Sequence, residues 1–320
     1  MSQLNPDGPA RLAGVIFSLS LNIVASCGTI FINKYLFKSH GFTFGTALTV
    51  AHFFFTFALC VIAVWTGFFK FKKLDIMRVL PISIAFCGYV VFNNISLLYN
   101  SVAFYQVMKI LCTPIILLIE YFLFNKSTDN QTKLTLIPTC CGILITVVTD
   151  AEGNLLGTAY AVLAVGANAM YTVYGKTKQN ELNANPMQIL LYQSITSGCM
   201  LIPCVFLLDD YKALFEYEFN TSNLLSILLS CFAAFFVNFS FFLLVGRTSP
   251  LTVNVVGYFK TCVVFVGGVL FFSTDPSLQN MVGIGLTLLG VLLYSFLPKS
   301  TTAKEKQVST PDVTEAEDKV

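Results

Sequence analysis

Two lysines, Lys109 and Lys260, each lie near the middle of an apolar stretch long enough to cross a bilayer. An ammonium at the centre of a spanning helix costs roughly 2.5–3.5 kcal/mol even on lenient insertion scales, so such a residue faces a bundle interior or a wet cavity and a partner there. The missing counter-charge is a phosphate or a carboxylate, and two such lysines in corresponding places make a cationic clamp for an anion. Polar groups surround them at helical spacing. Tyr105 and Thr113 fall one turn before and one turn after Lys109, on its face. Asn254, Tyr258 and Thr261 form a second stripe, offset about a quarter turn from Lys260. Asn94 and Asn238 are intramembrane amides in facing helices, and Tyr192-Gln193 adds a polar pair. Against this stands a plainer reading: snorkelling lysines, and amides that only join helix to helix. Glu120, three turns beyond Lys109, is too far along the helix to neutralise it and reads as a gate partner.

The elements that hold these residues are set by composition. The chain has 320 residues, 55% hydrophobic and 11% charged, with a mean hydropathy of +0.73. A soluble domain carries about 25% charged residues, so this is a polytopic membrane protein. Hydropathy between charged or Pro/Gly/Asn breaks predicts ten spans, over 11–33, 43–69, 78–98, 101–124, 133–149, 154–175, 186–208, 223–246, 250–272 and 279–298. The first is too long for a cleaved signal and reads as an anchor. All ten cysteines fall inside apolar segments and read as small packing residues, not metal ligands or disulfides.

Basic residues predict the orientation. With a cytoplasmic N-terminus, Arg11, Lys70, Lys72, Lys73, Arg78, Lys126, Lys133, Lys176, Lys178, Arg247 and the lysines of the tail lie in the cytosol, and only Lys34, Lys38 and Lys212 lie opposite. That is a strong positive-inside asymmetry, with both termini cytoplasmic. On the lumenal side Asn220-Thr221-Ser222 is an N-glycosylation sequon.

The two halves resemble each other. Phe92-Asn93-Asn94-Ile95-Ser96 recurs as Phe236-Val237-Asn238-Phe239-Ser240, each followed by a break and a span with a central lysine. Five helices per repeat give opposite orientations, so the expected fold is an all-α membrane protein of ten transmembrane helices in two inverted five-helix repeats. The divisions are a cytoplasmic N-terminus (1–10), repeat one (11–150), repeat two (151–298) and a disordered cytoplasmic tail (299–320). Such repeats suit alternating access around a midplane site. There is no P-loop, no H-E-x-x-H and no nucleophile–base set, so neither an ATP motor nor an enzyme is expected, and no cofactor.

The span-four lysine followed by Cys112-Thr113-Pro114, and the run TSPLTVNVVGYFKT from Thr248 to Thr261, resemble the nucleotide-sugar transporter and plastid phosphate translocator branch of the drug/metabolite transporter superfamily. Within it the chain is most similar to E-type members of solute carrier family 35 and to plant transporters of UDP-sugars. The resemblance implies that Lys109 and Lys260 contact substrate phosphate. The plastid translocators carry an arginine where this chain has Thr261 and a tyrosine where it has Val237, and both departures point away from triose phosphate. The reading is therefore an antiporter exchanging a nucleotide sugar, a UDP-sugar, for a nucleoside monophosphate across the Golgi membrane, the endoplasmic reticulum being the other compartment. Thr261, Asn254 and Tyr258 would add hydrogen bonds to the lysines' grip, and Tyr105 or Tyr192 would stack on base or sugar. Its partners are these solutes and the lipid bilayer, with a homodimer left open and no nucleic acid. The rivals are an antiporter of small phosphorylated metabolites and a non-transporting membrane scaffold.

Overall fold

A computed structural model describes residues 9–100, 108–124, 155–254 and 278–296, together with Gly257, Lys260 and scattered positions between 130 and 145. Among these residues every regular element is a helix. They are α1 (Pro9–Ser39), α2 (Gly45–Trp65), α3 (Ile76–Tyr99), α4 (Cys112–Phe124), α5 (Leu155–Glu181), α6 (Pro186–Leu208), the short α7 (Tyr211–Glu216), α8 (Thr221–Arg247) and α9 (Leu278–Phe296). Six of them, α1, α2, α3, α5, α6 and α8, are long and apolar enough to cross a membrane. Most of the expected spans over 133–149 and 250–272 lies outside the described residues.

Burial is inverted relative to a water-soluble bundle. Along α1, Val24 is 70% exposed while Asn22 is 2% exposed. Ser194, Ser197, Gln193, Ser230 and Ser240 are likewise buried, whereas Phe206, Leu207, Leu225 and Leu229 face outward. In lipid a polar group must find its partner inside the protein, so the polar stripe of each helix faces its neighbours.

The chain folds back through short, strongly capped turns. Helices α6 and α8 each begin in a reciprocal capping box: Asn185 with Gln188, and Asn220 with Asn223. Helices α2 and α5 each end in a Schellman motif. Gly67 (φ 74°) closes the first, with Gly67 N–H donating to Val64 O and Phe68 N–H to Ala63 O. Asn183 (φ 45°) closes the second, with its own N–H to Asn180 O and Ala184 N–H to Gln179 O. Both need a left-handed residue, which glycine and asparagine supply.

Helix α5 extends about two turns beyond the expected end of its span. Four of its polar residues are held: Lys176 Nζ donates to Gly246 O (2.5 Å), Gln179 Nε2 to Phe242 O (3.1 Å), and Lys178 pairs with Glu181 (2.7 Å). These residues read as a break in hydropathy because polarity alone does not show that α8 offers carbonyls to them.

The broadest helix contacts pair α3 with α5, α1 with α8, α2 with α6, and α3 with α6. Each joins a helix before residue 150 to one after it. Helix α5 also approaches α3 closely at Gly157, where a Cβ would lie 2.6 Å from Tyr99 Cβ, so only glycine fits.

Candidate ligand-binding cavity

A cavity of about 340 Å³ opens at the middle of the bundle, between α1, α3, α5, α8 and the helical residues around Asn254 and Lys260. That volume falls within the ~300–1,000 Å³ range of small-ligand sites. Lys109 and Lys260 both line it. Lys109 begins a 3₁₀ turn, Lys109–Leu111, that leads into α4. Pro114 explains the tightening: it has no N–H for Ile110 O, and its ring crowds that carbonyl.

Lys260 is held by α1. Its Nζ donates to Asn22 Oδ1 (2.8 Å) and Ser26 Oγ (3.3 Å). Asn22 is itself fixed, since its Nδ2 donates to Ser240 Oγ (2.9 Å) on α8, which leaves Oδ1 for the lysine. Among the described residues no carboxylate pairs with Lys260; the ion pairs found are Arg78–Asp75 and Lys178–Glu181. The two lysines thus bring positive charge into one cavity, and that of Lys260 rests on neutral oxygens.

The face of α1 that does this is a stripe at four-residue spacing: Gly14, Ser18, Asn22 and Ser26, with Thr29 beyond. Arg247 Nη1 reaches Gly14 O (2.6 Å) and Ser18 Oγ (2.9 Å) at one end of the stripe. Asn22, Ser26 and Thr29 line the cavity. None of them was singled out from the sequence, although the spacing in an otherwise apolar helix carried the signal.

The other expected site residues divide. Asn238 and Asn254 line the cavity. Asn254 also donates to Cys112 Sγ (3.4 Å), as does Asn168 of α5 (3.5 Å), so two amides hold the turn that carries Lys109. Gly257 also lines the cavity. The structure does not bring Asn94 or Tyr192 to the cavity. Asn94 Nδ2 donates to Thr46 Oγ1 (3.2 Å). Tyr192 lies at the start of α6, where its hydroxyl accepts from Leu74 N–H (3.1 Å) and donates to Lys72 O (3.3 Å). Tyr105, Tyr258 and Thr261 lie outside the described residues.

A multi-pass helical membrane protein with a central cavity bearing two lysines has the build of a carrier for anionic solutes. The sequence profile of the Triose-phosphate Transporter family matches residues 15–295, and the chain belongs to that family. It is 33% identical over 313 residues to UDP-xylose transporter 2 of Arabidopsis thaliana, covering 95% of this chain and 88% of that protein. It is 29% identical to UDP-rhamnose/UDP-galactose transporter 1 of the same plant, covering 94% and 89%. A crystal structure 14% identical in sequence superposes with a TM-score of 0.65, over 88% of this chain and 96% of that one, which shows the fold alone. The family is the one that the lysine motifs resemble.

Proposed function

We propose that this chain is a secondary antiporter that exchanges a UDP-sugar for a nucleoside monophosphate across an endomembrane, that of the Golgi. The observation that carries the reading is the pair of lysines lining one cavity, with Lys260 on neutral acceptors from α1. Phosphate oxygens of the cargo would supply the counter-charge. Relatives across nearly the whole length are named as UDP-sugar transporters, which favours a nucleotide sugar over a free sugar. In this reading ten helices form two inverted five-helix repeats, both termini face the cytosol, and the cavity opens alternately to each side.

Counter-flow into proteoliposomes tests it. Vesicles are preloaded with UMP, GMP, CMP or inorganic phosphate, and labelled nucleotide sugars are offered outside. UMP-loaded vesicles should take up a UDP-sugar, and Lys260→Ala should reduce uptake at least about tenfold, the effect of losing a charge-assisted contact. Exchange with inorganic phosphate alone would move the cargo to small phosphorylated metabolites. Uptake unaffected by Lys260→Ala would overturn the reading.

A further inference from the structure

Four asparagines, Asn22, Asn168, Asn238 and Asn254, line the central cavity beside Lys109 and Lys260, and among the described residues no aspartate or glutamate does. Asparagine and aspartate have nearly the same shape, so the neutral lining is not a matter of space. Of the four, Asn22 bonds Lys260, and its amide is fixed from both sides. Its Oδ1 accepts from Lys260 Nζ (2.8 Å), while its Nδ2 donates to Ser240 Oγ (2.9 Å) and reaches Val237 O (3.4 Å). Turning the amide over would set its N–H groups against the ammonium and its oxygen against Val237 O, so one orientation alone is satisfied. Ser26 Oγ, one turn along α1, takes a second N–H of the lysine (3.3 Å). An ammonium carries three N–H groups, which leaves one for a ligand, and Lys260 is part-exposed and lines the cavity.

A carboxylate at position 22 would hold the ammonium more strongly, since a bond between two ions is stronger than one to a neutral oxygen. It would also cancel the charge that an anion needs. The amide does only the first half of this work. It orients the ammonium and occupies one of its N–H groups, yet leaves the positive charge whole.

We propose that Asn22 is a positioning residue that holds Lys260 at the cavity wall and reserves its charge for an anionic ligand, and that an amide stands there in place of a carboxylate for this reason. The assignment rests on the nucleotide-sugar reading above and deepens it, by giving anion recognition a determinant on α1, a helix on which no motif had marked a site residue.

The test measures binding of UMP to purified wild-type protein, Asn22→Asp, Asn22→Ser and Lys260→Ala, with the melting temperature of each. Shape and charge predict opposite orders. A residue that only fills space is disturbed least by aspartate, its isostere, and most by serine. A residue that reserves charge gives the reverse: Asn22→Asp should weaken UMP at least about tenfold, as Lys260→Ala does, the effect of losing a charge-assisted contact, while Asn22→Ser, a neutral oxygen still, should stay within about threefold of wild type. Asn22→Asp should nonetheless melt no lower than Asn22→Ser, because its carboxylate pairs with Lys260 and the Ser240 hydroxyl can donate to it. Should Asn22→Asp fold poorly, Ser26→Asp sets a carboxylate beside the same ammonium and should give the same loss. Wild-type binding by either folded aspartate variant, or a greater loss in Asn22→Ser than in Asn22→Asp, would overturn the assignment. Wild-type protein that binds no UMP, or a Lys260→Ala variant that binds it normally, would instead defeat the nucleotide-sugar reading, and this assignment with it.

Discussion

The two ends of the bundle join the same two halves of the chain with opposite charges. At the end where α1 begins, cations reach carbonyl oxygens. The segment between α2 and α3 lies across the C-terminal cap of α5: Lys72 Nζ donates to Leu182 O and Asn183 O (2.9 Å each), and Lys70 O accepts from Gln188 Nε2 (2.9 Å). Arg247 on Gly14 O and Lys176 on Gly246 O repeat the pattern. At the other end an anion reaches amide hydrogens. Asp209, the C-cap of α6, accepts from Ala47 N–H (2.7 Å) and Thr46 N–H (3.2 Å) at the start of α2. Beside it Phe42, Phe44, Tyr217 and Phe219 form an aromatic cluster, and Tyr217 OH donates to His40 O (2.8 Å). For Lys72, Lys176 and Asp209 the polarity follows from helix ends, whose free carbonyls attract cations and whose free amides attract anions; Gly14 O, in the second turn of α1, is not such a carbonyl. The Lys72, Arg247, Asp209 and Tyr217 contacts each cross residue 150, and the two ends share no residue among them. Contacts that share no residue can be removed at one end without touching the other.

Removing the anion should have the largest effect. Asp209→Ala leaves two amides of α2 without their acceptor and should destabilise the protein by about 2–3 kcal/mol, read as a lower melting temperature in detergent. It should also expose a reporter cysteine, Thr29→Cys, to maleimide from the end where α1 finishes. Next comes Lys72→Met, which removes two charge-assisted bonds and should cost about 2 kcal/mol. Its labelling signature should be the reverse, with a Ser26→Cys reporter more reactive from the end where α1 begins. If both variants raised labelling from the same side, the two ends would not be separate latches. The smallest effect belongs to Tyr217→Phe, which loses two neutral hydrogen bonds, the one it donates to His40 O and the one it accepts from Asn223 Nδ2, but keeps the aromatic cluster. It should lower stability by about 1.5 kcal/mol and leave the labelling pattern unchanged.

Among the described residues the broadest helix contacts run between the first and second halves of the chain, α1 on α8, α2 on α6 and α3 on α5.

Much of the site and fold was legible in the sequence, but unevenly. Lys109 and Lys260 stood out because an ammonium in a hydrocarbon-length run conflicts with its surroundings, and conflict is visible locally. Helix limits were uneven: α6 occupies the expected 186–208, since Asn185-Pro186 is a start signal and Asp209 a polar stop, but α1 and α5 run about six residues past their expected ends at 33 and 175. Tyr192 misled, because a tyrosine beside a glutamine in an apolar span looks like cavity lining when its hydroxyl in fact holds the segment before α3. Asn22 and Ser26 were overlooked, because small polar residues are common wherever membrane helices touch.

Length and hydropathy alone determined that this chain is a helical membrane protein, and placed two charges at mid-span, because the cost of a polar group in lipid depends on its own position along the helix. Only the tertiary structure decided that α1 offers the Asn22 amide and the Ser26 hydroxyl to Lys260, and that Lys72 and Asp209 tie opposite ends. Those facts depend on which helix face meets which, and that choice is made jointly by residues far apart in the chain.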